Sequence, residues 1–103
     1  MDVLEAISMR RSVRDYATRS IPDDVMARMC QAIRCAPSAC NLQPWHFVLV
    51  SDKTLRQQIA TAANEQLWMA VAPITVVACG LREQAYQRMG GSGNSVDIDV
   101  AIA

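Results

Sequence analysis

The chain has 103 residues, of which 51% are apolar and 19% charged, and its ten basic residues balance its ten acidic ones. This length and composition suit one folded domain and exclude a disordered tail, a collagen-like repeat and a coiled coil as descriptions of the whole chain. The zero net charge argues against a nucleic-acid-binding protein. No apolar run approaches the roughly 18 residues of a membrane span, and the acidic N-terminus lacks a secretory signal pattern. The sequence therefore predicts a soluble cytoplasmic protein without a membrane partner.

The first predicted elements are two helices separated by an arginine-rich segment. Residues 2–10 place apolar side chains on one side of a helix, and a second helix is predicted over residues 23–36, where acidic residues open it. Residues 11–21 are predicted to be irregular or extended. The polar segment 37–44 has a proline at each end and is predicted to be a loop.

Two strands and two more helices are predicted in the rest of the chain. Residues 45–50 are rich in aromatic and β-branched residues, which favours a strand, and a capped helix follows it. Residues 74–79 are nearly all apolar, which predicts a strand that is buried on both faces. Residues 80–94 are predicted to form a polar, glycine-rich mobile loop, and residues 95–103 the start of an apolar helix.

Several kinds of site are disfavoured. His46 is the only histidine, which excludes a histidine-rich metal site, and its place in a strand favours a packing role over a hydrolase triad. The cysteines form no Cys-x-x-Cys pair, so we interpret them as reduced, mostly structural thiols and expect no metal. The glycine-rich residues 90–93 match neither the dinucleotide fingerprint nor the P-loop spacing.

A cluster of arginines follows the first predicted helix. Arg10, Arg11, Ser12 and Arg14 place three guanidinium groups and a hydroxyl within five residues. Forked arginine donors and a hydroxyl match a phosphate group in both charge and geometry. The cluster indicates an anion site, and a solvated basic turn is the alternative.

A second polar segment precedes the first strand. Pro37 and Pro44 bracket Ser38, Asn41 and Gln43. Amide side chains both donate and accept hydrogen bonds, so they can pair with a heterocycle that does both, such as the pyrimidine ring of a flavin. An ordinary capped turn is the alternative interpretation of this segment.

Taken together, Arg-Arg-Ser-x-Arg and, about 25 residues later, Ala-Pro-Ser-x-x-Asn-x-Gln-Pro-Trp make the sequence resemble the FMN-dependent nitroreductase family. The resemblance continues through the strand 46–50 and through an Ala-Pro pair that leads into an apolar strand at 72–77. Residues 96–103 are similar to the start of the long central helix of that fold. Family members are longer than this chain, so the resemblance implies that residues 1–103 are the N-terminal part of a single, truncated flavin-binding domain.

The implied fold class is α+β, a three-layer α/β/α sandwich with helices on both sides of a mixed, mainly antiparallel sheet. Within it, residues 45–50 and 73–79 are expected to be central strands. The side chains that we expect to be buried are those of Ile33, Val48, Val50 and Val76.

The resemblance also implies which residues hold FMN. Early arginine and serine residues of the family bind the phosphate and ribityl chain, and the amide loop reaches the flavin of the other subunit in a homodimer that carries FMN at its interface. Gln66 is the match for an amide at the pyrimidine edge, with Asn64 as the second candidate. The implied cofactor-binding residues are Arg10, Arg11, Ser12, Arg14, Pro37, Ser38, Asn41, Gln43 and Gln66.

The implied activity depends on the flavin. FMN takes a hydride from NAD(P)H and passes reducing equivalents to a nitroaromatic, a quinone or a similar small acceptor by a ping-pong mechanism. Because the cofactor performs the difficult step, we assign no catalytic acid or base to the protein. Two alternatives stay open: a non-enzymatic anion-binding or interaction module, and a flavoenzyme of the same fold that dehalogenates or breaks down flavin.

Overall fold

The computed structural model describes the backbone of residues 1–103 and all side chains except that of Ser92. The helices are α1 (Val3–Met9), α2 (Asp23–Arg34), α3 (Lys53–Ala62) and α4 (Val96–Ile102), and the strands are β1 (Trp45–Val50) and β2 (Thr75–Gly80). Short 3-10 turns connect them at Ala39–Asn41, Leu67–Val71, Arg82–Gln84 and Gly90–Ser92. Among the described residues, none of the helices has the length and apolar character that crossing a bilayer requires.

Local side-chain contacts set the starts of two helices. The carboxylate of Asp2 accepts from the N–H of Glu5 at 2.8 Å, and the Glu5 carboxylate accepts from the N–H of Asp2 at 3.3 Å, which is a capping box for α1. The Asp52 carboxylate caps α3 by accepting from the N–H of Leu55 at 2.8 Å. The predicted starts of both helices are therefore confirmed within one or two residues, and α2 ends at Arg34, two residues before its predicted end.

β1 and β2 form an antiparallel sheet whose register pairs Trp45 with Gly80 and Val50 with Thr75. β1 has its predicted bounds, whereas β2 begins and ends one residue later than the predicted strand 74–79. Within the described residues the sheet has two strands, so each has one edge without a strand partner. The expectation that both would be central strands is therefore wrong for this chain.

Burial of the sheet also differs from the prediction. The side chains of Val48 and Val76 are 41% and 40% exposed, so the expectation that they are buried is wrong, as is burial of β2 on both faces. Ile33 and Val50 are half-buried. An apolar strand is buried only where another element covers it, and each face of this two-stranded sheet has exposed positions within the described residues. Among the described side chains, Ala60, Ala85 and Val96 form the buried hydrophobic core, and the ring of Pro44 is also fully buried.

The segment 80–94 is more ordered than the predicted mobile loop. It contains two 3-10 turns, and its backbone pairs with the residue before α4, since the N–H of Ser95 donates to the carbonyl of Tyr86 at 3.0 Å. This pairing attaches the segment to the start of α4.

Gly80 lies where α4 crosses the end of β2 at close range. A Cβ atom at this position would lie 2.6 Å from Cγ2 of Val96 and 3.5 Å from Cγ2 of Val100. Because valine is restricted about χ1, the helix would have to shift. We expect Gly80→Ala to lower the free energy of unfolding by about 1–3 kcal/mol in urea denaturation. The control is Gly91→Ala, whose Cβ meets nothing within 4 Å; equal stability of the two variants would contradict the close approach of α4.

Candidate functional site

The arginine cluster lies on an exposed segment directly after α1. Nη1 of Arg10 donates to Oγ of Ser12 at 3.2 Å, which holds a guanidinium and a hydroxyl side by side. Nη1 of Arg11 donates to the carbonyls of Ser8 at 3.1 Å and of Arg10 at 2.9 Å. Among the described side chains, no hydrogen bond joins these guanidinium groups to a carboxylate. Their positive charge is therefore available to an external anion.

Arg14 is held by an aromatic contact. Its Cζ lies 5.9 Å from the ring centroid of Trp68, within the range of a cation–π interaction. The ring of Tyr16 lies 5.8 Å from the same indole at an interplanar angle of 38°. Trp68 belongs to the 3-10 turn Leu67–Val71, so these contacts attach the end of the arginine cluster to the segment that leads into β2.

The amide loop, defined here as residues 37–43, contains three non-glycine residues in the left-handed region. Cys40, Asn41 and Gln43 have φ values of 52°, 53° and 50°. Such a conformation costs an ordinary L-residue roughly 1–2 kcal/mol, and it persists where surrounding contacts hold it. The side chains of Asn41 and Gln43 are exposed, so the loop presents both amides to solvent.

Hydrogen bonds close and anchor the amide loop. Oγ of Ser38 accepts from the N–H of Gln43 at 2.9 Å, which closes the loop across its length. The N–H of Ala39 donates to Oδ1 of Asp99 at 3.0 Å, which anchors the loop to α4. Pro37, at the start of the loop, is exposed.

Asp99 is a functional candidate that the sequence reasoning missed. Its side chain is 2% exposed, and its second oxygen, Oδ2, accepts from Oγ of Ser95 at 2.6 Å. Oγ of Ser95 in turn accepts from the N–H of Tyr86 at 3.1 Å. A signal was present in the sequence, because a serine and an aspartate four residues apart share one face at the start of an otherwise apolar helix.

The two candidates for the further amide, Gln66 and Asn64, lie between α3 and the turn that carries Trp68. The Gln66 side chain is exposed, and its Nε2 donates to the carbonyl of Ala63 at 3.0 Å. Asn64 is also exposed and has a φ of 62°. Gln66 directly precedes the turn Leu67–Val71, whose Trp68 contacts Arg14. Among the described side chains, no hydrogen bond joins the arginine cluster to the amide loop.

The sequence profile of the Nitroreductase family matches residues 7–96, so the chain belongs to the nitroreductase family. A protein of Methanothermobacter thermautotrophicus, provisionally named an NADH dehydrogenase/NAD(P)H nitroreductase, is 35% identical over 79 residues, which are 77% of this chain and 41% of that protein. An FMN reductase [NAD(P)H] of Bacillus subtilis is 27% identical over 78 residues, which are 76% of this chain and 31% of the reductase. The chain spans less than half the length of the curated relatives that it matches.

Comparison with solved structures gives the same family. The crystal structure of a nitroreductase family protein from Clostridium difficile 630 superimposes with a TM-score of 0.84 at 25% identity. The superposition covers 99% of this chain and 57% of that protein. The predicted α+β, nitroreductase-like fold is therefore confirmed.

Proposed function

We propose that the protein is an NAD(P)H-dependent flavin oxidoreductase that uses FMN. The observation that carries this proposal is the pairing of an exposed guanidinium with a serine hydroxyl, at Arg10 and Ser12, in a chain of the nitroreductase family. The relatives named as an FMN reductase and as an NAD(P)H nitroreductase support the choice of cofactor and electron donor.

The chemistry of the arginine cluster fits the phosphate of FMN. A phosphomonoester carries between one and two negative charges near neutral pH and presents several acceptor oxygens. Arg10 and Ser12 supply charged and neutral donors side by side, and Arg11 and Arg14 add further positive charge. The aromatic contact with Trp68 limits the motion of the Arg14 guanidinium without neutralising it. These four residues would hold the phosphate and the ribityl chain.

The amide loop presents hydrogen-bond donors and acceptors that complement those of the flavin ring of FMN. Asn41 and Gln43 are exposed amides on a backbone that is held by Asp99 at its start and by Leu81 just after its end, so their positions are restricted before any ligand arrives. Pro37 and Ser38 belong to the same loop, and the Ser38 hydroxyl fixes its closure. Gln66 would offer a further amide after its contact with Ala63 is exchanged for the ligand.

Bound FMN would supply the capacity to accept a hydride from a nicotinamide and to reduce a small acceptor. We propose that the acceptors are nitroaromatic or quinone compounds and that the reaction is ping-pong. The residues of this chain bind and orient the cofactor, and none is assigned as a catalytic acid or base.

All four cysteines are free thiols, which suits a reducing compartment, and we propose that the protein is cytoplasmic.

We also propose that the protein is a homodimer with FMN at the subunit interface. The apolar side chains of Leu4 and Ile7 on α1 are 78% and 68% exposed, and Leu49 and Val76 on the sheet are 41% and 40% exposed. Adjacent apolar side chains at the surface favour association with another protein surface. Light scattering of the full-length protein is expected to give twice the mass of one chain.

The test of the proposed function is FMN titration of the full-length protein, followed by flavin fluorescence. We expect saturable binding of FMN and FMN-dependent oxidation of NADH or NADPH when a nitroaromatic or a quinone is added. Halide release from a halogenated phenol without reduction of those acceptors would favour a dehalogenase of the same fold. Absence of FMN binding would reject the function and favour an anion-binding or interaction module.

A further inference from the structure

We propose that Asp99 is a positioning residue that holds the amide loop in its left-handed conformation. Its buried carboxylate accepts from the N–H of Ala39, and that bond fixes the segment that presents Asn41 and Gln43. The identity of the ligand that the loop binds rests on the proposed function. The anchoring of the loop by Asp99 does not, because it is a property of the protein without ligand.

The loop has one anchor at each end. At its start, the bond from the N–H of Ala39 to Oδ1 of Asp99 joins residues that are 60 positions apart in the chain. Just after its end, the carbonyl of Pro44, whose side chain is fully buried, accepts from the N–H of Leu81 at 2.8 Å. The three left-handed residues lie between these anchors. The bonds inside the loop, such as that from Gln43 to Ser38, are local and cannot fix its place on the protein.

The carboxylate is itself oriented by a short chain of donors. The N–H of Tyr86 donates to Oγ of Ser95, and the Ser95 hydroxyl donates to Oδ2 of Asp99. With Oδ2 occupied, Oδ1 is directed at Ala39. Burial of a carboxylate is unfavourable unless its oxygens are hydrogen-bonded, and a hydrogen bond to an ionised group is roughly twice as strong as a neutral one. A strong acceptor at this position suits a loop whose backbone is strained.

Three variants of the full-length protein separate positioning from general stability. Asp99→Ala removes the acceptor for Ala39. Asp99→Asn keeps an oxygen for Ala39 but loses the charge. Ser95→Ala is the comparison variant, because it removes the donor that orients Oδ2 and the acceptor for Tyr86 but neither atom of the bond between Ala39 and Oδ1.

The first measurement is hydrogen exchange of the loop amides in the protein without FMN. We expect Asp99→Ala to accelerate exchange at Ala39 by about ten- to a hundredfold. Asp99→Asn should give a smaller acceleration and Ser95→Ala the smallest, while amides within α3 stay unchanged in all three. If Asp99→Ala does not fold, Asp99→Asn is compared with Ser95→Ala in the same way. Exchange at Ala39 that is no faster in the folded Asp99 variants than in Ser95→Ala would overturn the proposal.

The second measurement is FMN affinity, together with the visible circular dichroism of bound FMN as a signature of ring placement. We expect affinity to fall, and the dichroism to change, in the same order as the exchange rates. A wild-type protein that binds no FMN would reject the proposed function, whereas the exchange experiment would still decide whether Asp99 holds the loop. Variants with faster exchange but wild-type affinity and dichroism would overturn the link between Asp99 and the flavin site.

Discussion

The double substitution of Arg10 and Arg14 by alanine is expected to weaken FMN binding to the full-length protein by roughly 10²- to 10⁴-fold. A hydrogen bond to a charged group contributes about 1.5–3 kcal/mol, and each 1.4 kcal/mol corresponds to a factor of about ten in affinity. Neither guanidinium is hydrogen-bonded to a carboxylate in the described part of the protein, so most of the loss falls on the ligand, and the fold loses only the contact of Arg14 with Trp68 and the bond of Arg10 to Ser12. Flavin fluorescence titration measures the change.

Two controls separate geometry from charge in this experiment. Arg28→Ala with Arg88→Ala removes the same charge from two exposed positions outside the arginine cluster and should change FMN affinity by less than about threefold, because exposed charges that make no direct contact with the ligand are screened by salt. Arg10→Lys keeps the charge but loses the planar fork, so it should restore only part of the affinity that Arg10→Ala loses. Normal FMN affinity in the double alanine variant would reject the assignment of the arginine cluster.

Arg56→Met is expected to lower the free energy of unfolding by about 2–4 kcal/mol. The half-buried guanidinium of Arg56 donates to the carbonyls of Ser51 at 3.2 Å, of Ala70 at 2.8 Å and of Ala72. Methionine fills part of the same space but leaves these carbonyls without their donor. The bonds to Ala70 and Ala72 are part-buried whereas that to Ser51 is exposed, so the cost comes mainly from the first two, and an unsatisfied buried acceptor costs about 1–3 kcal/mol. These carbonyls lie before and after α3. Loss of their hydrogen bonds to Arg56 therefore loosens the connection between the helix and β2.

The measurement for Arg56→Met is urea denaturation of the protein without FMN. Arg28→Met is the matched control, because Arg28 is exposed on α2, and it should change stability by less than about 0.5 kcal/mol. A stability for Arg56→Met that equals that of the control would show that the three carbonyl contacts contribute nothing.

The parts of the fold that sequence could predict have local causes. The start of α3 follows from the cap at Asp52, and β1 follows from a run of aromatic and β-branched residues at Trp45–Val50. The exposure of Val48 and Val76 could not be predicted in the same way. An apolar side chain favours burial, but whether another element covers it depends on residues that are distant in sequence.

The same distinction applies to the candidate site. Arg10 and Ser12 are two residues apart, so the motif itself showed that a guanidinium and a hydroxyl lie close together, and the structure adds the hydrogen bond between them. The contact of Arg14 with Trp68 and the bond from Ala39 to Asp99 join residues that are far apart along the chain. Neither residue spacing nor hydropathy carries information on which distant side chain is the partner, and both contacts therefore required the structure.

The left-handed backbone at Cys40 and Gln43 restricts the amino acids that these two positions tolerate. A β-branched side chain is strongly disfavoured there, whereas glycine, asparagine and aspartate fit at little steric cost. Loop variants selected only for folding would thus become enriched in these three residues before any selection for a ligand. A narrow range of substitutions at positions 40 and 43 would then reflect backbone geometry, so substitution patterns alone would not distinguish loop side chains that bind a ligand from those that only suit the backbone.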